Sequence, residues 1–129
     1  IIQVDGRPML DGGIVDSIPL LRAFEQGCEK CVVVLTRNRG YRKSVGKVYV
    51  PKFIYKEYPR LRVALRNRNK LYNAQLELVE RLEDEGKIVV IRPEQPIVVG
   101  RMETNVKKLT DLYNQGYACA KKVMESCSI

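Results

Sequence analysis

The 129-residue chain contains no histidine. That absence rules out a Ser-His-Asp triad and any His-ligated metal within these residues. Cysteine is sparse. Cys28, Cys31, Cys119 and Cys127 are too few for a disulfide scaffold at this length, and they read as free thiols in a reducing cytoplasm. No apolar run approaches the roughly 20 residues that a membrane span needs. No repeat, low-complexity tract or signal peptide is visible.

The residues present are 45% hydrophobic and 29% charged, as in a globular protein, with a net charge of +8. The length suits one α/β domain over residues 1–129 that buries roughly two thirds of its unfolded surface. The positive charge suits an anionic partner (a phospholipid surface, nucleic acid or an acidic substrate) or a solvated basic face. The chain opens in mid-pattern with Ile1-Ile2-Gln3-Val4 running into Asp5-Gly6, which suggests a piece of a longer protein.

Asp5-Gly6 and Asp11-Gly12-Gly13 are turn signals around a short segment, Arg7 to Leu10. Asp16 or Ser17 can cap a helix with Pro19 in its first turn. That helix would send Ile18, Leu20, Leu21 and Phe24 to a core and stop at Gly27. Cys31-Val32-Val33-Val34-Leu35 predicts a strand buried on both faces, as in a parallel sheet. Thr36 to Lys47 reads as a polar, basic loop. Leu61, Leu65, Tyr72, Val79 and Leu82 recur at helical spacing and predict a long helix over about 60–86, ending at Gly86. Ile88 to Ile91 predicts a second buried strand closed by Pro93. A C-terminal helical region follows over about 103–126, with Gly116 as a possible break. Buried strands alternating with helices argue for helices layered on a mostly parallel sheet, with Ile1 to Val4 as a third strand.

Asp11 is the sharpest chemical feature. A turn aspartate often caps its own backbone. It can also act as a general base where its pocket is partly desolvated, and two following glycines let other groups approach closely. The stretch Asp11-Gly12-Gly13-Ile14-Val15-Asp16-Ser17-Ile18-Pro19, then a helix, then Val32-Val33-Val34-Leu35-Thr36-Arg37, resembles the patatin-like phospholipases, most closely their bacterial members. The likeness extends to Gly40-Tyr41-Arg42-Lys43 and the strand Ile88 to Pro93 and covers nearly the whole chain. It implies the C-terminal part of a three-layer α/β/α hydrolase, in which Asp11 is the base of a Ser-Asp dyad on the loop 9–16 and Gly12 and Gly13 form its turn. The family's Gly-x-Ser-x-Gly elbow and glycine-rich oxyanion loop precede the Asp-Gly-Gly, and both are missing from this chain. The resemblance therefore implies a serine lipid acyl hydrolase (a phospholipase or esterase) whose nucleophile lies upstream. It implies no metal and no organic cofactor, a lipid or ester substrate, a location in the cytoplasm or at the membrane periphery, and a fragment inactive alone.

Other motifs are weaker. Lys43-Ser44-Val45-Gly46 has only the second half of an elbow, with Arg42 where the first glycine belongs. Gly40 to Lys47 misses the spacing and final Ser/Thr of a phosphate-binding loop. Cys28-Glu29-Lys30-Cys31 has redox-motif spacing, yet unremarkable thiols are the simpler reading. Arg60, Arg62, Arg66 and Lys70, with Arg68 beside them, load the start of the long helix, and Tyr55, Tyr58 and Tyr72 lie near in sequence. They suit a solvated face or an anionic membrane surface. No nucleic-acid motif accompanies them, and no nucleic-acid partner is expected. A non-catalytic basic module that binds anionic surfaces or nucleic acid is the alternative to the hydrolase. Missing strands would leave open sheet edges, so self-association is expected.

Overall fold

The computed structural model describes residues 1–46, 49–51, 53–100 and 102–127. The far end of the rejected phosphate-loop reading, Lys47 and Val48, lies outside the described residues. The elements are β1 (Ile2–Val4), β2 (Arg7–Met9), a 3₁₀ turn (Gly12–Ile14), α1 (Leu20–Glu25), β3 (Val32–Val34), α2 (Pro59–Asp84), β4 (Val89–Ile91) and α3 (Val106–Ser126). They fall into two compact units. One comprises Ile1–Pro19 and Arg42–Leu78, and the other Leu20–Tyr41 and Val79–Ile129.

The first unit opens with a hairpin. Asp5 and Gly6 sit at φ +49° and +72°, the left-handed pair that a two-residue hairpin turn requires. They pair β1 with β2 antiparallel, Ile2 opposite Met9 and Val4 opposite Arg7. This corrects the expectation that Ile1 to Val4 adds a third strand to a parallel sheet. A two-residue turn folds the chain straight back, whereas a parallel neighbour needs a long crossover. All six strand residues are exposed. The first part of α2, beginning with Pro59 at a position that tolerates a missing N–H, completes this unit.

The second unit holds a parallel pair, β3 beside β4, with Val33 opposite Val90. The ladder continues through Val89 N–H to the Cys31 carbonyl at 3.0 Å and Leu35 N–H to the Ile91 carbonyl at 2.8 Å. Its core is Leu20, Val33, Leu35, Val79, Ile88 and Val90. The strand expected to be buried on both faces is buried on one. Val33 and Leu35 point inward, while Val34 on the other face remains 69% exposed. Full burial needs a layer on each side. The described residues therefore give a mixed α/β structure with one parallel and one antiparallel strand pair.

Helix α1 is shorter than the sequence suggests. Neither Asp16 nor Ser17 caps it, because both side chains bond elsewhere, and Pro19 precedes its first residue. Six residues make less than two turns, so Leu20 is buried while Leu21 is exposed. Gly27 ends α1 at φ +88°, where Gly27 N–H donates to the Phe24 carbonyl and Cys28 N–H to that of Ala23. Gly86 ends α2 in the same way at φ +67°, with Gly86 N–H to Glu83 and Lys87 N–H to Leu82. Both are the paired C-terminal bonds of a Schellman motif. Gly116 does not break α3, as the sequence left open. Glycine lowers helix propensity but keeps its N–H, so the ladder passes through it.

Ion pairs hold the loop after β3 to the end of α2 within this unit. Arg39 Nη2 reaches both carboxylate oxygens of Asp84 at 2.7 Å, and its Nη1 reaches Glu83 at 3.2 Å. Arg92 pairs with Glu83 and stands 3.9 Å from Glu80, which also accepts from Gly40 N–H at 3.0 Å. Burial pulls the Arg92 pKa below its ordinary value; the Arg39 charge adds to this and Glu80 opposes it. Cys119 Sγ donates to the Arg92 carbonyl at 2.8 Å.

Candidate functional site

The candidate site is the loop that carries Asp11, in the first unit. Asp11 is exposed and is the N-cap of the 3₁₀ turn. Its Oδ1 accepts the N–H of Gly13 at 2.8 Å, and its carbonyl accepts from Ile14 N–H at 3.2 Å. So the aspartate does cap its own backbone. A carboxylate offers about four lone-pair sites over two oxygens, and this cap engages one of the two oxygens. The hydrogen bond fixes the rotamer and leaves acceptor capacity at Oδ2.

The two glycines differ. A Cβ on Gly13 would stand 3.3 Å from Asp11 Oδ1 and 3.8 Å from Arg68 Nη2. A side chain there would press on the Asp11 carboxylate, which favours glycine. A Cβ on Gly12 would meet open space, so close approach explains only the second glycine.

Helix α2 holds the loop from one side. Arg68 Nε donates to the Gly13 carbonyl at 3.0 Å, and the same oxygen accepts Ser17 Oγ at 2.7 Å. Gln75 Oε1 accepts the N–H of Ile18 at 3.2 Å, while its Nε2 donates to Asp16 Oδ1 at 2.5 Å. Arg68 and Gln75 are seven residues apart, hence two turns along one helix face. Asp16 thus ties the loop to α2 instead of capping α1. Gln75 carries no motif, and Arg68 looks like one more cation of a basic stretch. Only their helical spacing hinted that both lie on one stripe.

The same helix grips a second segment of this unit. Asn73 accepts from Lys43 N–H at 2.8 Å and donates to the Lys43 carbonyl at 2.9 Å. Asn69 Nδ2 donates to the Ser44 carbonyl at 2.9 Å, and Lys43 Nζ stands 3.8 Å from the centre of the Tyr72 ring. Ser44 therefore lies in an irregular segment, with no strand-to-helix elbow around it.

The basic stretch divides by role. Arg60, Arg66 and Lys70 are exposed and Arg62 is half-buried. Arg66 Nε donates to the Arg62 carbonyl at 3.3 Å. Arg62 Nε is buried and has no hydrogen-bond partner among the described residues. The four thiols are free, with Cys28 exposed and Cys31, Cys119 and Cys127 half-buried. Among the described residues no three metal-ligating side chains cluster, and no helix is long and apolar enough to cross a membrane.

Residues 58–128, more than half of the chain, match the model of a family described as a domain of unknown function (DUF6363). No curated protein and no solved structure matches the chain.

Proposed function

The chain belongs to the DUF6363 family, whose function is unknown, and we propose that it is the C-terminal part of a patatin-like serine lipid acyl hydrolase with Asp11 as the general base. One observation carries the reading. An exposed carboxylate has one oxygen fixed by Gly13 N–H, on a turn tied to α2 through Arg68 and Gln75. A base must be held in place to take a proton in the transition state, and a second-layer bond of this kind supplies the positioning. The resemblance of the Asp11–Pro19 stretch to the patatin-like phospholipases supplies the chemistry.

In this mechanism a serine upstream of the sequence attacks the ester carbonyl. Asp11 takes the hydroxyl proton as the Oγ–C bond forms, and backbone donors upstream hold the oxyanion. The proton then passes to the departing alcohol. Asp11 next takes a proton from the water that attacks the acyl-enzyme, and passes it to the serine Oγ as the Oγ–C bond breaks and the fatty acid leaves. The chain alone has neither nucleophile nor oxyanion donors, so it is inactive by itself. Arg60, Arg62, Arg66 and Lys70 turn the protein toward an anionic lipid surface. The competing reading, a non-catalytic basic module, uses the same cations and differs in giving Asp11 no chemical role.

The test is Asp11→Asn in the full-length protein, assayed on a short-chain chromogenic ester. Asparagine keeps an oxygen for the Gly13 N–H, and Asn is as good an N-cap as Asp, so folding is preserved. Activity falls by several orders of magnitude if Asp11 is the base. Unchanged hydrolysis, or none in the wild type, returns Asp11 to a turn residue.

A further inference from the structure

Residues 59–76, the greater part of α2, contain Arg60, Arg62, Arg66, Arg68 and Lys70 and no acid. Acids favour the first turn of a helix and cations disfavour it, yet this first turn has two arginines and no acid. The fold takes up two of the five cations. Arg68 holds the Gly13 carbonyl, and Arg62 is half-buried. Arg60, Arg66 and Lys70 are exposed, and none has an acidic partner among the described residues. Val63 and Leu71 are exposed with them. Positions 60, 63, 66, 70 and 71 fall on one side of the helix.

The turn just before α2 presents apolar side chains. Phe53 is 80% exposed, and Ile54 and Tyr55 beside it are exposed too. Tyr49, earlier in the same unit, is 85% exposed. Tyr55 holds a left-handed backbone, φ +54°, and its carbonyl accepts the Tyr58 N–H at 2.9 Å. That backbone is costly for an aromatic residue, and strain of this kind collects at binding sites.

We propose that this surface docks on an anionic phospholipid bilayer, with Phe53 and Ile54 inserted among the acyl chains and Arg60, Arg66 and Lys70 against the phosphates. A peripheral membrane site needs apolar side chains that leave water and cations that meet the negative leaflet. The chain supplies them in succession. Helix α2 starts directly after the turn, and Lys70 lies about 15 Å along it from Arg60. Glu57 is the single acid between Phe53 and Lys70. A nucleic acid would use the same cations and stack on the rings, but it leaves Ile54, Val63 and Leu71 in water. The proposal deepens the lipid reading of these cations. It uses no residue of the Asp11 loop, so the ester assay and a vesicle assay fail separately.

Co-sedimentation of the chain with vesicles tests it, using phosphatidylcholine with about 30% phosphatidylglycerol against phosphatidylcholine alone. The chain binds the anionic vesicles and not the neutral ones. Arg60→Gln, Arg66→Gln and Lys70→Gln together weaken binding about 100-fold. Phe53→Ala weakens it about 10-fold at unchanged net charge. The four side chains are exposed, so the circular dichroism of these variants matches the wild type. The chain has no tryptophan, so Phe53→Trp adds a single reporter. Its emission moves to the blue on anionic vesicles and is quenched by lipids brominated on the acyl chains. Equal binding to neutral vesicles, or none to either, overturns the proposal. So does full binding by Phe53→Ala. Binding to a short single-stranded DNA, with no quenching by the brominated lipid, assigns the surface to nucleic acid and overturns it as well.

Discussion

Arg68 Nε donates to the carbonyl of Gly13 at 3.0 Å, and the N–H of that same Gly13 donates to the carboxylate of Asp11 at 2.8 Å. One peptide group thus connects the helix to the acidic side chain. The guanidinium also stands beside the space a Gly13 side chain would need, so arginine and glycine define the position together.

Arg68→Ala should loosen the Asp11 loop more than it weakens the fold. A hydrogen bond from a charged donor contributes about 1.5–3 kcal/mol, and that is an upper bound at a half-buried site. In the full-length protein we expect ester hydrolysis to fall about 10- to 100-fold through kcat, with little change in the thermal midpoint. Gln75→Ala should act in the same direction and less than additively with Arg68→Ala, since both hold one loop. An additive pair with unchanged kcat would mean that the loop does not position a base.

Gly13→Ala should be worse tolerated than Gly12→Ala. The added methyl at Gly13 would stand 3.3 Å from Asp11 Oδ1, whereas at Gly12 it meets nothing. Urea unfolding should show about 1 kcal/mol lost at the first position, and roughly nothing to a few tenths at the second. Equal losses would mean that the turn is not as tight as its geometry implies.

Arg92 and Arg39 share Glu83 but not their surroundings. The Arg92 side chain is 9% exposed and that of Arg39 is 52% exposed. Removing Arg92 would take a largely buried cation from Glu83 and Glu80, which keep Arg39 and the Gly40 N–H, at a cost of about 1.5–3 kcal/mol. Arg39→Ala, at an exposed pair, should leave the midpoint nearly unchanged. Chemical denaturation of the two variants distinguishes them, and a reversed order would overturn the argument.

Glu103 lies two residues before the cap of α3. Its pKa is lowered first by the Asn105 N–H, then by the Lys108 ammonium and the Thr104 N–H, while desolvation opposes them. A carboxylate depressed in the folded state stabilises above its ordinary pKa, about 4.3, and that contribution disappears as pH falls through the folded value. The first turn of α3 should therefore fray in mild acid. Amide exchange at Lys108 followed from pH 6 to 3 would show it, and Glu103→Gln should remove the pH dependence.

Much of this fold was legible where the signal was local. Gly27 and Gly86 stop their helices because each must adopt a left-handed backbone, and glycine at the end of an apolar period announces that. Asp5-Gly6 announced its turn for the same reason. What misled was the identity of partners. Val32 to Val34 reads as a core strand, because a run of valines cannot say whether one layer or two will cover it. Ser17 looks like a helix cap, yet its hydroxyl finds the Gly13 carbonyl four residues back. Within the site, Asp11 and Gly13 stood out, while Arg68 and Gln75 did not. Their role depends on which segment meets their face of α2, a long-range fact that no local pattern holds.

The two strand pairs have a consequence for the time course of folding. β1 and β2 are joined by a two-residue turn, so their pairing closes a minimal loop and can form within microseconds. β3 and β4 have all of α2 between them, and their parallel register waits on a far larger loop closure. An isolated hairpin is only marginally stable in water, so the early pairing forms and dissolves repeatedly. The slow step is the one that brings Val33 to Val90, and a probe on either valine should report the rate at which the whole chain becomes native.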